Sequence, residues 1–168
     1  RSLLERYKAE GKPFDAEYWE LATRLAEQTA AGMRYLQAKG IQHCDLKAQN
    51  LLLDHEFKVK VSDFGLANAT DTARFGASSR SEGAGPKGSA PWMAPEHLLR
   101  VPDSPPYDEK CDVYSFAMVL YELATRRVPW AELSGLPQII AQVTSGARPV
   151  LPENVPEELR ALIERCWE

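Results

Sequence analysis

The sequence predicts an α+β fold that is mainly helical and contains one small β-hairpin. Apolar residues recur at helical spacing between residues 15 and 40, and two short apolar runs lie at 51–53 and 57–61. The stretch from Asp108 to Arg127 is apolar on nearly every side, as expected of a central buried helix. With 168 residues, the chain is long enough to form one domain with its own core.

The first helix is expected between Asp15 and Gly40. Asp15 has the short acceptor side chain typical of a helix N-cap, and Gly40 ends the periodic pattern. The apolar positions between them predict a face that packs on the core: Trp19, Leu21, Ala22, Leu25, Ala30, Met33 and Leu36.

Two short strands are expected to form the hairpin. Residues 51–53 are a continuous apolar run, whereas the apolar residues of 57–61 alternate with Lys58 and Lys60, which predicts a half-buried strand. Residues 62–91 are rich in Gly, Ser and Ala and have no period, which predicts a long functional loop. Further helices are expected near 132–145 and from Glu153 to the end of the chain.

Composition argues against several classes of function. A net charge of −4 gives no sign of a nucleic-acid partner. The longest apolar run begins at Val113 and is too short to cross a bilayer, which takes about 20 residues. The cysteines are odd in number and follow no metal-binding spacing, so we expect a reducing compartment and a cytoplasmic location. GAGPKG at 83–88 fits a phosphate-binding glycine pattern, but no strand precedes it and no helix follows it, so we interpret it as a flexible loop.

The chemistry is concentrated in residues 43–50, which read HCDLKAQN. The order His-x-Asp-x-x-x-x-Asn is followed by DFG at 63–65, by GSAPWMAPE at 88–96, by DVYSFAMVLYELATRRVPW at 112–130 and by ERCW at 164–167. In order and spacing this series resembles the catalytic loop, magnesium loop and activation-segment end of eukaryotic protein kinases, and in detail the tyrosine-kinase-like group of serine/threonine kinases. The resemblance covers essentially all of residues 1–168 but only the C-terminal lobe of the kinase fold, without the N-terminal lobe and the last helix. Because the chain begins without Met and stops mid-pattern, we expect it to be a piece of a longer protein.

The resemblance implies a role for each polar residue of the series. Asp45 would accept the proton of the substrate hydroxyl, and Lys47 would offset charge on the transferring phosphoryl group. Asn50 and Asp63 would hold magnesium ions through oxygen ligands, which suit that cation. Leu52 would support the adenine ring of ATP, an interpretation that competes with simple core packing. The implied cofactors are ATP and Mg²⁺, and the implied partners are protein substrates with Ser or Thr hydroxyls.

The same resemblance assigns supporting roles around the site. Asp112 is expected to be a buried carboxylate that accepts backbone N–H groups of the catalytic loop, and Ser89 to carry a hydroxyl that bonds toward the catalytic Asp and Lys. Glu96 and Arg165 are expected to form an internal ion pair. Two further residues, His43 and Phe64, are expected to pack in the core.

Cys44 departs from the family pattern. Most members have an arginine there, which pairs with a phosphorylated residue of the activation loop. A thiol cannot form that pair, so the sequence predicts a kinase of the non-RD type and a small buried residue at position 44. The loop serines at 78, 79 and 81 remain candidates for modification.

Two classes of function therefore stay open. The first is ATP-dependent phosphorylation of protein serine and threonine in intracellular signalling, with Asp45, Lys47, Asn50 and Asp63 all present. The second is a pseudokinase or allosteric scaffold that binds without turnover; a variant of this hypothesis is that these residues are themselves the natural product and serve only as a docking surface. The 168 residues alone are expected to transfer phosphate poorly or not at all, because they contain neither the Gly-rich loop over ATP nor the strand lysine of the family.

Overall fold

A computed structural model describes residues 13–63, 68–69, 89–99 and 108–168. The described part is mainly helical, as predicted, with two small antiparallel sheets. Two one-turn 3₁₀ helices lie at Ala48–Asn50 and Ala90–Trp92. The main elements in chain order are α1 (Ala16–Ala38), β1 (Ile41–Gln42), β2 (Leu51–Leu53), β3 (Val59–Val61), β4 (Asn68–Ala69), α2 (Pro95–Leu98), α3 (Glu109–Thr125), α4 (Leu136–Thr144) and α5 (Glu157–Cys166).

Helix α1 begins and ends where the sequence predicts. The Asp15 carboxylate accepts a hydrogen bond from Tyr18 N at 2.9 Å, which satisfies one of the free N–H groups of the first turn. At the other end, Gly40 has a φ of 67°, a conformation that glycine adopts without strain. Of the predicted apolar face, Leu25 and Leu36 are buried, whereas Ala30 is exposed.

The predicted hairpin is confirmed, with a later start of its second strand. β2 and β3 are antiparallel, and Leu51 is opposite Val61. The prediction that the second strand includes Phe57 is wrong, because Phe57 has a φ of 59° and lies in the turn. The Asp54 carboxylate accepts hydrogen bonds from Glu56 N and Lys58 N, and this turn uses residues that the alternation had placed in the strand.

A second small sheet was not predicted. β1 pairs with β4, and Ile41 is opposite Ala69. Each strand has two residues, too few for an alternating pattern to be recognised in the sequence. Phe64, the GAGPKG stretch and the serines at 78, 79 and 81 lie outside the described residues.

Helix α3 is the central element, as predicted. It packs against α1 and α5, and most of its residues from Cys111 to Thr125 are buried. Four of the buried residues are polar, and three of these make contacts that position the site described below. Among the described residues, no helix combines the length and apolar character that a membrane crossing requires. Buried polar side chains need hydrogen-bond partners, and Asp112, Ser115 and Glu122 have partners in the segments that form the site described below.

Helices α4 and α5 begin later than predicted. Residues 130–133 form a turn, in which Leu133 N donates to Trp130 O, and Pro137 in the first turn of α4 favours a helix start there. Similarly, Pro156 precedes the first residue of α5, Glu157. A proline in the first turn of α4 and one just before α5 favour these later starts.

Candidate active site

The loop at residues 43–47 depends on Asp112 for its conformation. Asp112 is 8% exposed, and its two carboxylate oxygens accept hydrogen bonds from His43 N at 2.8 Å and Cys44 N at 3.0 Å. Backbone donors of a buried loop have no strand or helix partner, so a side-chain acceptor must satisfy them. The role predicted for Asp112 is confirmed.

Cys44 is buried, as predicted, and its backbone is left-handed. The residue is 7% exposed and its φ is 64°, a region that few non-glycine residues adopt. Its thiol donates to Gln42 O at 3.6 Å. The bond from Cys44 N to Asp112 helps to hold this unfavourable conformation, which the sequence pattern did not indicate.

Four of the polar side chains predicted for the site meet in the structure. Lys47 Nζ donates to Asp45 Oδ2 at 2.7 Å and to Ser89 Oγ at 2.8 Å. Asn50 Nδ2 donates to Asp45 O at 2.8 Å and to Asp45 Oδ2 at 3.1 Å. The predicted bond of Ser89 toward the Asp and Lys pair is confirmed through Lys47.

The two oxygens of Asp45 differ in their contacts. Oδ2 accepts from both Lys47 and Asn50, whereas Oδ1 is buried and accepts no hydrogen bond from any residue that the structure describes. A buried acceptor without a partner is unfavourable, and a catalytic role is one of the few explanations for keeping it. Asp45 therefore presents one oriented oxygen that can accept a proton or a hydrogen bond from a ligand.

His43 and Asn50 bond to Ser62, the residue that precedes Asp63. His43 is fully buried, as predicted for a core residue; its Nδ1 accepts from Asp45 N at 3.3 Å, so its Nε2 donates to Ser62 O at 3.0 Å. Ser62 N and Oγ both donate to Asn50 O, at 2.8 and 2.9 Å. No role was predicted for Ser62, because a single serine beside a strand forms no motif that can be recognised in the sequence.

Leu52, in β2, and Asp63, two residues after β3, are both exposed. Asp63 has a φ of 62°, in the left-handed region that few non-glycine residues adopt. Leu52 is 45% exposed, whereas its neighbour Leu51 is fully buried. The interpretation of Leu52 as a core residue is thus wrong, and its contact with an adenine ring stays a prediction.

The available oxygen donors fit a magnesium ion. Asn50 uses its amide nitrogen toward Asp45, and its amide oxygen is the atom that would bind a cation together with the Asp63 carboxylate. No group of three or more His, Cys, Asp or Glu side chains able to hold a metal occurs in the described residues. Magnesium commonly binds one or two carboxylates and completes its shell with water and substrate phosphates, so a small donor set is appropriate.

The predicted ion pair between Glu96 and Arg165 does not form in the structure. Both side chains are exposed, where an ion pair contributes little to stability. Glu96 Oε1 instead accepts a weak hydrogen bond from Cys111 Sγ at 3.4 Å. Burial, with a contribution from Glu96, raises the pKa of the Cys111 thiol to about 12.

Glu122 is a second buried carboxylate of α3 that contacts the loop. It is fully buried, and its Oε2 accepts from Ala48 N at 3.1 Å and from Trp92 Nε1 at 2.7 Å. Ser115 Oγ, also on α3, donates to Trp92 O at 2.8 Å. Glu122 had no role among the predictions from the sequence. A single charged residue inside an otherwise apolar helix was the signal that it needs partners.

Comparison with known proteins agrees with the motifs. The family described as protein tyrosine and serine/threonine kinase matches residues 13–168. The chain is 40% identical over 149 residues to the dual specificity protein kinase shkB of Dictyostelium discoideum, covering 88% of this chain and 21% of that protein. It is 37% identical over 164 residues to the serine/threonine/tyrosine-protein kinase HT1 of Arabidopsis thaliana, covering 98% of this chain and 39% of that protein.

A third relative differs in its stated specificity. The serine/threonine-protein kinase STY46 of Arabidopsis thaliana is 39% identical over 145 residues, covering 86% of this chain and 23% of that protein. The chain thus spans well under half the length of the relatives it matches. With the family match over 13–168 and the contacts of Asp45, Lys47, Asn50 and Asp112, the chain belongs to the protein tyrosine and serine/threonine kinase family.

Proposed function

We propose that this chain is the C-terminal lobe of an active protein kinase that uses Mg·ATP to phosphorylate serine and threonine hydroxyls of other proteins. The observation that carries the proposal is the state of Asp45, whose Oδ2 is held by Lys47 and Asn50 while Oδ1 has no partner among the described residues. A general base needs this combination of a fixed orientation and one open acceptor position.

The transfer step uses few groups of the protein. The substrate hydroxyl oxygen forms a bond to the γ-phosphorus of ATP, the bond from that phosphorus to the bridging oxygen breaks, and ADP leaves. Asp45 Oδ1 orients the hydroxyl and accepts its proton. Lys47 lies beside Asp45 and Ser89, where its ammonium group offsets the charge of the phosphoryl group in transfer.

The residues of the hairpin side, Asn50, Leu52 and Asp63, would hold the nucleotide with its magnesium. Asn50 and Asp63 are the residues that would bind magnesium, which when present neutralises charge on the phosphates. Leu52 is exposed on β2 and offers an apolar surface to the adenine ring. Ser62, through its bonds to Asn50 O, keeps the Asn50 and Asp63 backbones in a constant relative position.

Ser/Thr specificity and the regulatory type are finer parts of the proposal. Lys47 and its contact with Ser89 match the serine/threonine pattern of the tyrosine-kinase-like group, although two of the relatives are named as dual specificity or serine/threonine/tyrosine kinases. Cys44 is small and buried, which supports a non-RD kinase whose activity does not require an arginine at this position. We place the protein in the cytoplasm on the basis of its unpaired cysteine pattern.

The test is phosphate transfer by the natural protein that contains these residues. Labelled phosphate from Mg·ATP is followed into generic substrates that carry either Ser/Thr or Tyr, for the wild type, Asp45→Asn and Asp63→Asn. Loss of the base should lower kcat by about 10²–10⁴-fold. The matched control is Asp54→Asn, the same substitution at a hairpin turn outside the site, which should leave kcat unchanged.

Each outcome separates the two classes of function. Activity on Ser/Thr substrates that both site variants lose supports the proposal, and activity on Tyr substrates as well would revise the specificity. If the wild type binds ATP but transfers no more phosphate than the two site variants do, the result would support the non-catalytic scaffold instead. The isolated 168-residue chain should show no turnover, and Mg·ATP-dependent turnover by it that Asp63→Asn abolishes would contradict the C-lobe assignment.

A further inference from the structure

We propose that Glu122 is a positioning residue that aligns Lys47 with Ser89. One oxygen of its carboxylate accepts hydrogen bonds from the backbone of Ala48, the residue after Lys47, and from the side chain of Trp92. The structural link is independent of the proposed function, whereas its effect on catalysis rests on it. The link involves five residues, here called the positioning ring: Lys47, Ala48, Ser89, Trp92 and Glu122.

One carboxylate oxygen joins two distant parts of the chain. Glu122 Oε2 accepts from Ala48 N, 74 residues away, and from Trp92 Nε1, 30 residues away. Ala48 and Trp92 are 1% and 4% exposed, and Glu122 is fully buried, so water cannot replace either bond. Hydrogen bonds to a charged acceptor are roughly twice as strong as those between neutral groups.

The other side of the positioning ring closes through the candidate site. Lys47 directly precedes Ala48, and its ammonium group donates to Ser89 Oγ at 2.8 Å. Ser89 O in turn accepts from Trp92 N at 3.0 Å. Both partners of the Lys47–Ser89 contact are therefore held, within one to three residues, by the same oxygen of Glu122.

The remainder of α3 shows why this is a positioning contact rather than packing alone. Neighbouring buried positions such as Val119, Leu120 and Leu123 fill the core with apolar side chains. Replacement of buried charged groups by apolar residues of similar volume is often neutral or stabilising, so the carboxylate is better explained by the arrangement that its bonds fix than by stability. The arrangement here is the relative position of two segments. One segment bears Lys47, and the other bears Ser89, which accepts a hydrogen bond from Lys47 Nζ.

The consequence for catalysis is selective. Weakening the Glu122 bonds should move Lys47 relative to Ser89 and Asp45, and displacements near 1 Å at reacting groups can lower rates by about 10²-fold. Leu52 and Asp63 lie on the hairpin side and do not belong to the positioning ring. We therefore expect a lower kcat with little change in KM for ATP.

The experiment uses the natural full-length protein and two tryptophan variants. Trp92→Phe removes the indole N–H that bonds Glu122 but keeps a buried aromatic ring. Trp130→Phe is the matched control, because Trp130 is 5% exposed and its indole nitrogen has no hydrogen-bond partner among the described residues. Glu122→Gln completes a double-mutant cycle with Trp92→Phe, and both changes are conservative enough to keep the fold.

Two readouts are compared. Hydrogen–deuterium exchange of peptides that cover residues 43–50 should accelerate in Trp92→Phe and Glu122→Gln but not in Trp130→Phe. In the kinase assay, kcat should fall about tenfold in Trp92→Phe, KM for ATP should stay constant, and the effect should largely disappear in the Glu122→Gln background.

Other results decide against the inference or against the proposed function separately. Unchanged exchange in Trp92→Phe would overturn the inference, as would faster exchange with an unchanged kcat, since the contact would then be structural only. Multiplicative effects of the two substitutions would also overturn it. A different result would leave the inference intact: the wild type has no kinase activity, but exchange accelerates in Trp92→Phe and Glu122→Gln and not in Trp130→Phe. The link through Glu122 would then stand, and the proposed function would fail.

Discussion

The loop at residues 43–48 and the hairpin both carry residues of the candidate site, but they satisfy their backbone groups differently. β2 and β3 pair with each other, so the two strands satisfy each other's backbone hydrogen-bonding groups. In the loop at 43–48, three backbone donors, His43 N, Cys44 N and Ala48 N, bond instead to the carboxylates of Asp112 and Glu122 on α3.

This difference separates local from long-range dependence. The two strands of the hairpin are joined by a short turn, whereas Asp112 and Glu122 lie 69 and 74 residues beyond the loop groups that they bind. A change in α3 should therefore affect the loop, and with it Asp45, Lys47 and Asn50, more than any change in the hairpin does. The asymmetry can be tested by substitutions on each side.

Asp112→Ala should have the largest effect on stability. The change leaves two buried donors, His43 N and Cys44 N, without their acceptor, and each such donor costs about 1–3 kcal/mol. We therefore expect the free energy of unfolding to fall by about 2–6 kcal/mol, measured by urea denaturation.

Two controls accompany the Asp112 measurement. Asp112→Asn keeps one acceptor oxygen and should lose less stability than Asp112→Ala. Glu109→Ala removes an exposed carboxylate from the same helical turn and should change the free energy of unfolding by less than about 0.5 kcal/mol. Equal small losses for Asp112→Ala and Glu109→Ala would show that the loop does not depend on α3.

Gly32→Ala tests the hairpin side of the comparison. A β-carbon at position 32 would lie 2.9 Å from Val61 Cγ2, which is closer than side chains normally pack. Overpacking costs about 1–3 kcal/mol, and the better helix propensity of alanine returns about 1 kcal/mol. The net expectation is a loss of about 1 kcal/mol in the free energy of unfolding.

The sign should reverse when the contact is removed. In a Val61→Ala background, the atom that Gly32 approaches is absent, so Gly32→Ala should stabilise α1 by up to about 1 kcal/mol. The two values come from the same urea titrations in the two backgrounds. A destabilising Gly32→Ala in both backgrounds would mean that something other than the approach of α1 to β3 keeps glycine at this position.

The same local and long-range division explains what the sequence could predict. Asp15, Gly40 and the alternation of 59–61 act within a few residues, and the structure confirms the elements that they indicate. The grouping of Asp45, Lys47 and Asn50 was likewise visible, because all three lie in one short loop.

Features that depend on distant or conformational information were missed. Neither the contact of Glu122 with Trp92 nor the left-handed backbone of Cys44 follows from spacing, since both require the packing of α3 against the loop. The ion pair expected between Glu96 and Arg165 also depends on distant packing, and it does not form because both side chains are exposed. Resemblance supplied the two charges, but their exposure in this chain removes the reason for them to pair.

Cys111 offers the smallest test, which asks whether the first turn of α3 is as closed to solvent as the bonds of Asp112 imply. Burial first, and then the nearby Glu96, raise the pKa of this thiol from 9.0 to about 12. In the unfolded chain the thiol loses its proton near its ordinary pKa, whereas in the folded protein it keeps the proton until about pH 12. The stabilising contribution of Cys111 is therefore complete below about pH 9 and declines as pH rises toward the folded pKa.

We expect the free energy of unfolding of the wild type to fall more steeply than that of Cys111→Ala between about pH 9 and about pH 11, with reductant present. Tyr114→Phe is the control, because burial also raises the pKa of Tyr114 to about 12, but from an ordinary value of 10.0, so its contribution begins to change at higher pH. Parallel curves for the wild type and Cys111→Ala would mean that water reaches the first turn of α3. In that case, the two bonds of Asp112 would compete with solvent, and the loss expected for Asp112→Ala would have to be correspondingly smaller.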